Sequence, residues 1–458
     1  MICCILGLFL LNSASVKAAG DPPPESKSIH VLYDSLRTLA LDHSPDIRIA
    51  RNAFEQKKAE EYSSKAKRWS PNVDLELSQR RIHNLSETSA GTDSDENESN
   101  WKFVLDWPVY RRSLVLQAEE NDLETELAET TLTIKTEELD VELRTLLADY
   151  LVKVYRFLNL QNSIALSRDH LKGIRTGYEM RQQTKLQLLR AQANLKILEV
   201  RKDIDLQRKK ESFRNLIRFT GLETGHPIFT DLNAFVATEK NAEKSITELA
   251  SLDKTYHGIF PWLEPADETT LHHQFVSESP LYKKIVLEKR IAHARAKTLM
   301  QTEWPDLSVK GRFQKRDDTE LTYWDTGASI GVFLTVPLFS GGTAFSNYRA
   351  KNEAEKIALT TEEDHVRKIF FSTLNDRKLI LELKNALEKQ KIQLQQQEEI
   401  VRLSVKSYTL KKTSMQDLLT SWNTLIDAKN DLMQTTSELG TTIKRYIFEL
   451  GLIKQGRL

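Results

Sequence analysis

The chain has 458 residues, and its 65 lysines and arginines are balanced by 65 aspartates and glutamates, so the formal net charge is zero. This balance excludes the basic excess typical of nucleic-acid-binding proteins, and we expect no nucleic-acid partner. Hydrophobic residues make up 40% and charged residues 28% of the chain, a mixture typical of long amphipathic helices rather than of one compact core.

Residues 1–19 are predicted to be a secretory signal peptide. Ile2–Leu11 is an uninterrupted apolar run, and small residues suited to cleavage follow at Val16–Gly20. The alternative is a buried N-terminal helix. Both cysteines, Cys3 and Cys4, lie in this segment, so the mature chain would have neither disulfides nor thiolate chemistry. No later run of apolar residues reaches the length of about 18 that a transmembrane helix needs.

Two strands are predicted between residues 70 and 110, and two more between 305 and 338. Apolar residues alternate with other residues in each strand: Val73, Leu75 and Leu77; Phe103, Leu105 and Trp107; Val309, Gly311 and Phe313; Ala328, Ile330, Val332, Leu334 and Val336. A period of two is that of a strand. The segments Ser86–Asn100 and Lys315–Glu320 are strongly polar, so we expect them to be solvated hairpin tips.

Long helices are predicted over residues 109–226 and 338–458, which contain no proline and are rich in good helix formers. Each run is predicted to form two antiparallel helices of about 50 residues. The turns are expected at Gly173–Gly177 in the first run and near Ser404–Ser414 in the second. A heptad seam with two polar interruptions supports helix in the second run: Leu418, Trp422, Leu425, Lys429, Leu432, Thr436, Leu439 and Ile443.

The same order of features occurs twice, which predicts an internal repeat. Landmarks of the first half recur roughly 230 residues later: Ser44-Pro45 as Ser279-Pro280, Pro71 as Pro305, Tyr178 as Tyr408, and Gly221-Leu222 as Gly451-Leu452. Each repeat comprises a helix, two strands and a long helix pair. We therefore expect a first repeat at 20–222, a connecting equatorial segment at 223–265 packed on the helices, a second repeat at 266–452 and a tail at 453–458.

The strands have the properties of membrane strands. Each is near the length of about 9–11 residues that crosses a bilayer when tilted. Aromatic residues cluster at the strand ends, as in the girdles of membrane barrels: Trp69, Trp101, Trp107, Tyr110, Trp304, Tyr323 and Trp324. The alternative is a soluble, half-buried sheet with an aromatic core. Four strands cannot close a barrel alone, and open edges cannot face lipid, so a membrane location would require several protomers to share one barrel. Three protomers would give about twelve strands.

No pattern typical of an enzyme is present, so we expect no catalytic residue, cofactor or metal site. The adjacent pair His272-His273 would point to different helix faces, which favours surface histidines over a metal site. Ser340-Gly341-Gly342 lacks the Lys-Ser/Thr of a phosphate-binding loop and is better explained as a strand-to-helix turn.

The duplicated strand and helix unit, the stretch Val336–Gly342 and the paired Tyr-x9-Leu-Leu motifs resemble the TolC-like outer-membrane efflux protein family over about residues 30–452. The resemblance implies a mainly α fold with β: long antiparallel helices form an α-barrel tunnel, and each protomer of a homotrimer adds four strands to a shared 12-stranded outer-membrane β-barrel. It also implies a location in the outer membrane of a Gram-negative bacterium, with most of the chain in the periplasm. The implied function is passive export, in efflux of drugs or metals or in type I secretion. The implied partners are outer-membrane lipid, a periplasmic adaptor, and an inner-membrane pump or secretion ATPase.

The resemblance also implies site residues. The family motif at the tunnel entrance runs approximately Y-x-x-G-x-x-S/T-x-x-D-V/L-L. It is matched by Tyr408, Ser414 and Asp417 in the second repeat, whereas Gln187 replaces the aspartate in the first. Asp417, Tyr408 and Gln187 are therefore the expected entrance constriction.

The family glycine that helps to dock the adaptor is replaced by Arg181 and Lys411, near Tyr178 and Lys412. We hypothesise that these four residues form a basic docking tip for an acidic adaptor; the alternative is that the cations are merely solvated. A soluble periplasmic coiled-coil scaffold or adaptor, without a channel, is the competing interpretation of the whole chain.

Overall fold

The computed structural model describes residues 29–84, 94–251, 268–300, 304–318, 325–339, 341–410 and 412–452. The predicted signal peptide and C-terminal tail lie outside these ranges. The helices and strands are α1 Ile29–His43, α2 Pro45–Trp69, β1 Asn72–Asn84, β2 Ser94–Tyr110, α3 Arg112–Glu179, α4 Lys185–Thr220, α5 Pro227–Phe235, α6 Glu239–Ala250, α7 Glu268–Glu278, α8 Pro280–Thr298, β3 Asp306–Asp318, β4 Asp325–Thr335, α9 Thr343–Thr409 and α10 Met415–Leu450. The fold is mainly helical with one four-stranded sheet, which confirms the predicted fold class.

The long helix pairs are unequal, so the predicted halves of about 50 residues were wrong. Helices α3 and α9 have 68 and 67 residues, whereas α4 and α10 have 36 each. The first turn was also misplaced, because Gly173 lies inside α3 and the chain reverses only after Glu179. The second turn, between Thr409 and Met415, falls in the predicted interval. The long partners extend about 100 Å at 1.5 Å per residue and reach the sheet, whereas the short partners end below it.

The four strands form one antiparallel sheet in the order β1-β2-β3-β4. The two hairpins are joined by β2 and β3, which pair from Glu98↔Asp318 to Tyr110↔Leu307. Strand pairing extends into segments that we expected to be loop, since 94–100 belong to β2 and 315–318 to β3. The predicted polar tips are therefore shorter than the polar sequence suggests.

Ion pairs hold α2 and α8 on opposite sides of an acidic stripe on α3. From α2, Lys57 Nζ lies 2.8 Å from Glu124, and Lys65 Nζ lies 3.0 Å from Asp122. From α8, Arg295 also binds Glu124, so one carboxylate links the two halves of the chain. Further along, α9 packs on α8. The helices nearest the sheet thus form a layer in the order α2-α3-α8-α9.

The largest core lies around the middle of the long helices, where α1, α5 and α6 pack on α3. One buried carboxylate at this level, that of Asp140 on α3, accepts a hydrogen bond from Tyr33 Oη at 2.7 Å. Arg37 Nε and Lys444 Nζ each lie 2.8 Å from the same carboxylate. Asp140 therefore connects α1, α3 and α10. No helix among the described ranges is long and apolar enough to span a membrane.

Candidate functional site

The sheet has one apolar and one charged face, and both are poorly covered. Register places Leu75, Phe103, Phe313 and Ala328 in one row, and Val73, Leu105, Gly311 and Ile330 in another on the same face. On this face Leu77 is 71% exposed, Ile330 77% and Val332 71%. A soluble sheet buries its apolar face against a second layer. This one presents its apolar face outward, as expected in lipid.

The opposite face of the sheet is polar and ionic. Asp74, Val104, Arg312 and Ser329 form one row, and Glu76, Lys102, Gln314 and Gly327 form the next. Lys102 Nζ donates to Glu76 Oε2 at 2.7 Å. The alternation of apolar and polar side chains along each strand therefore separates an apolar surface from a polar one.

Tryptophans and arginines lie where the sheet meets the helices. Trp107 Nε1 donates to the backbone oxygen of Trp69 at 3.1 Å. The Arg68 guanidinium lies 4.9 Å from the centre of the Trp69 ring, and that of Arg112 lies 5.2 Å from Trp304. Indole rings beside cations are suited to a membrane–water boundary. Of the predicted girdle, Tyr323 and Trp324 lie outside the described residues.

The turn between α3 and α4 contains the first half of the predicted docking tip. Arg181 adopts φ of +58°, the one positive φ of a non-glycine residue among those described. This is the position where the family motif has glycine, and the backbone still takes the left-handed shape that favours glycine. Gln182 N donates to Gly177 O at 2.7 Å and closes the turn. Tyr178 and Arg181 are both exposed there.

The turn between α9 and α10 contains the second half of the predicted docking tip. Lys412 is exposed, and its backbone N–H donates to Ser407 O at 2.9 Å. Lys411 lies outside the described residues. Tyr408, expected at the constriction, packs against the apolar cluster that contains Met415, and burial raises the pKa of its hydroxyl.

Asp417 and Gln187 occupy the same position in two matching helix starts. Each is the third residue of its helix and forms a capping box, in which two backbone donors are satisfied reciprocally. Asp417 N donates to Ser414 Oγ at 3.2 Å, and the Asp417 carboxylate accepts from Ser414 N at 3.3 Å. Gln187 does the same with Thr184. The Asp417 side chain remains exposed beside these bonds.

Sequence reasoning missed a cluster just behind the tip. His170 Nε2 lies 3.3 Å from Met415 Sδ, and its ring lies 5.3 Å from that of Tyr408 and 5.4 Å from that of Trp422. Burial lowers the pKa of His170, which favours the neutral imidazole. This cluster joins α3 to α9 and α10. The residues are about 240 positions apart in sequence, so no local pattern could have revealed it.

No group of three or more histidine, cysteine, aspartate or glutamate side chains in the described part of the chain is arranged to hold a metal ion. His272, one of the adjacent histidines, packs edge-on against Phe370 with ring centres 5.2 Å apart. Gly341 and Gly342 have φ of +62° and +85° at the start of α9, as expected for a strand-to-helix turn.

The positive φ of Arg181 predicts that glycine at this position stabilises the turn. Arg181→Gly should slow hydrogen exchange of the Gln182 and Gln183 amides by about two- to fivefold, because a left-handed non-glycine residue costs roughly 1–2 kcal/mol and glycine recovers part of it. Both amides donate to Gly177 O and report opening of the turn. Gln182→Gly, at a position without positive φ, is the matched control and should speed exchange. Unchanged or faster exchange in Arg181→Gly would contradict the prediction.

Comparison with known proteins relates the fold to membrane channels. No protein-family model matches the sequence, and no curated protein matches it significantly. Solved structures do match. The outer-membrane channel OprN has a TM-score of 0.75 at 14% identity, over 92% of this chain and 90% of that one. The outer membrane protein VceC from Vibrio cholerae has a TM-score of 0.72 at 12% identity, over 93% and 98%. The CmeC outer membrane channel from Campylobacter jejuni has a TM-score of 0.73 at 13% identity, over 97% and 93%. The likeness covers nearly the whole of each chain and confirms the fold that the sequence resemblance implied.

Proposed function

We propose, from the premise that this chain has the fold of the TolC-like outer-membrane channels, that it forms a passive export channel through the outer membrane and periplasm. Three copies would close a 12-stranded barrel, and their long helices would form the tunnel below it. The chain itself would perform no catalysis. Substrates would be delivered by an inner-membrane pump or secretion ATPase through a periplasmic adaptor.

The observation that carries this proposal is the sheet with two exposed faces. The apolar face is suited to lipid, and the ionic face is suited to a water-filled lumen. Strands β1 and β4 are the edges of the sheet within one protomer, and unpaired edges cannot remain in lipid. Pairing β4 of one copy with β1 of the next satisfies both edges. The competing scaffold function leaves the apolar face and both edges without partners.

Membrane fractionation tests this function. The full-length protein should remain in the outer membrane after a high-salt wash, dissolve only in detergent, and elute as a trimer. Recovery as a washable monomer would reject the channel and favour the soluble scaffold. Phe345 and Leu338 are strongly exposed near the sheet, so detergent should also be needed to prevent aggregation.

We place the adaptor contact at the turns, formed by Arg181, Tyr178, Lys411 and Lys412. The cations at this end support a partner surface rich in carboxylates, since exposed charges guide association and select partners. Charge reversal by Lys412→Glu should reduce recovery of the adaptor in co-purification. Lys384→Glu in the middle of α9 is the control. Equal recovery with both variants would mean that the lysines at the tip are only solvated.

We place the entrance constriction at Asp417, with Gln187 at the equivalent position and Tyr408 behind it. Three symmetry-related carboxylates would attract cations, so Asp417→Gln should reduce cation over anion permeability by roughly two- to fivefold. Glutamine is chosen because Gln187 already caps α4, so the helix start is retained while the charge is lost. The reversal potential of single channels in a salt gradient measures the change.

The control for this measurement is Asp427→Asn, which removes a carboxylate further along α10 that lies 3.8 Å from Arg201. Its reversal potential should equal that of the unmodified channel. If Asp417→Gln and the unmodified channel gave the same reversal potential, Asp417 would not lie at the narrow end. Loss of all conductance in Asp417→Gln would equally contradict the assigned role.

A further inference from the structure

A cavity of about 820 Å³ lies between four helices below the sheet. It is lined by residues of α2, α3, α8 and α9 together. These helices form a layer in the order α2-α3-α8-α9. Because the cavity is lined by both outer helices, α2 and α9, it lies on the concave side of the layer. In a closed ring of such layers, the concave side faces the central axis. The conclusion that the cavity faces the lumen depends on the proposed function. The existence of the cavity and the residues that line it do not depend on it.

The cavity has an apolar floor and a charged rim. The floor is formed by small and branched side chains: Val115, Ala118, Leu123, Ala358 and Leu359. The rim carries five lysines and arginines, one histidine and three carboxylates. A volume of this size with an apolar lining and a few polar groups is typical of sites for small organic molecules.

All three carboxylates of the rim already have cationic partners. Asp122 lies 3.0 Å from Lys65, and Glu119 lies 3.5 Å from Lys297. Glu355 lies 3.5 Å from Lys351, a residue of α9 outside the cavity lining. These pairs neutralise one another and leave no acidic group to attract a cationic ligand. The third lysine of the rim, Lys289, is paired with Glu362, which lies outside the cavity lining, at 2.6 Å.

Two arginines remain without a carboxylate partner among the described residues. Arg68, at the end of α2, is placed over the ring of Trp69, and Arg290 projects from α8 into the cavity lining. Their guanidinium groups present planar arrays of donors that match an oxyanion bidentately. The indole of Trp69 holds Arg68 at the rim by a cation–π contact but satisfies none of its hydrogen-bond donors.

We propose that this cavity binds an amphiphilic organic monoanion, in which a carboxylate or sulfonate is held by Arg68 or Arg290 and an aryl or alkyl body lies on the apolar floor. Each protomer would supply one such site. Under the proposed function, the three sites would lie around the lumen just before the barrel and would make the channel retain anionic amphiphiles in preference to neutral or cationic ones.

Binding of 1-pyrenebutyrate to the full-length protein in lipid nanodiscs tests the site. Fluorescence anisotropy, corrected with empty nanodiscs, measures binding, and neutral 1-pyrenebutanol has the same apolar body without the charge. Pyrenebutyrate should bind at one site per chain. Replacing both arginines, R68Q with R290Q, should weaken it by roughly tenfold or more, and binding of pyrenebutanol should not change.

Charge reversal gives a result that misfolding cannot imitate. The R68E and R290E double variant should lose pyrenebutyrate binding and gain binding of 1-pyrenebutylammonium. The control pair R201Q and R208Q removes two arginines from α4, which lies outside the cavity, and should bind pyrenebutyrate normally. Equal affinity for pyrenebutyrate and pyrenebutanol, or unchanged affinity in R68Q with R290Q, would overturn the proposal. If the protein bound pyrenebutyrate but showed no conductance, the binding site would be supported and the channel function rejected. The two proposals can therefore fail separately.

Discussion

Replacing Asp140 with alanine should lower the free energy of unfolding by about 3 kcal/mol, in the range found when one partner of a buried ion pair is removed. The Asp140 side chain is 6% exposed and that of Lys444 13%. The variant would leave the Lys444 ammonium with little water and no counter-ion. It would also remove the carboxylate acceptor of the Tyr33 hydroxyl and leave only the backbone oxygen of residue 140, at 3.1 Å. Denaturant unfolding of the full-length protein measures the loss.

Two controls separate this effect from generic loss of charge. Asp169→Ala removes an aspartate of α3 whose side chain is 76% exposed, and it should change the unfolding free energy by less than about 0.5 kcal/mol. Combining Asp140→Ala with Lys444→Met should recover part of the loss, because the buried ammonium is then removed. A loss below about 0.5 kcal/mol in Asp140→Ala would show that the cluster adds nothing to stability.

The same carboxylate makes stability depend on pH. Burial alone would raise the pKa of Asp140, but Lys444, Tyr33 and Arg37 together hold it below its usual value. A carboxylate whose pKa is lower in the folded than in the unfolded state stabilises the protein above its unfolded pKa. This contribution is lost as the pH falls through the folded pKa. The difference in unfolding free energy between the unmodified protein and Asp140→Asn should therefore be largest near neutral pH and shrink in acid.

Gly451→Ala should be still more damaging to the packing of α10, with a cost of about 3 kcal/mol or more. Gly451 ends α10 with φ of +75°, and an added Cβ would lie 2.2 Å from Glu278 O and 2.9 Å from Ser279 Cα. Both contacts are with backbone, so no side-chain rotation can relieve them. The end of α10 or the corner between α7 and α8 would have to move.

Gly221→Ala is the matched control, because Gly221 ends α4 in the same conformation, with φ of +68°. The nearest atom to its added Cβ would be His43 O at 3.4 Å, so the cost should be that of the left-handed backbone alone, about 1–2 kcal/mol. The difference in unfolding free energy between the two variants isolates the steric contact at Gly451. If both variants were equally stable, the close packing at Gly451 would not exist in solution.

These two glycines also account for two of the landmarks from which the repeat was predicted. Each helix end lies against the corner that precedes a proline: Gly221 beside His43 and Gly451 beside Glu278 and Ser279. The motifs Ser-Pro and Gly-Leu are far apart in the sequence of each predicted repeat, but they pack against each other in the structure. Helices and strands could be predicted because proline, glycine and apolar periodicity act locally.

Other features could not be predicted because they depend on contacts between distant segments. Gly173 is tolerated inside α3, and the turn is instead set by the capping box at Thr184 and Gln187. The polar tips were overestimated, since cross-strand hydrogen bonds extend β2 over Ser94–Asn100. The cluster around His170 and the cavity between α2 and α9 each combine residues of several helices. No local sequence pattern predicts which helix faces pack against each other.

The capping boxes at the tip have an evolutionary consequence. A residue that starts α10 must accept a backbone hydrogen bond, and aspartate and glutamine both satisfy this requirement, as Asp417 and Gln187 show. The charge at this position can therefore change by one substitution while the helix start is kept. If the proposed entrance lies at Asp417, its ion preference can therefore change without loss of the cap that starts α10.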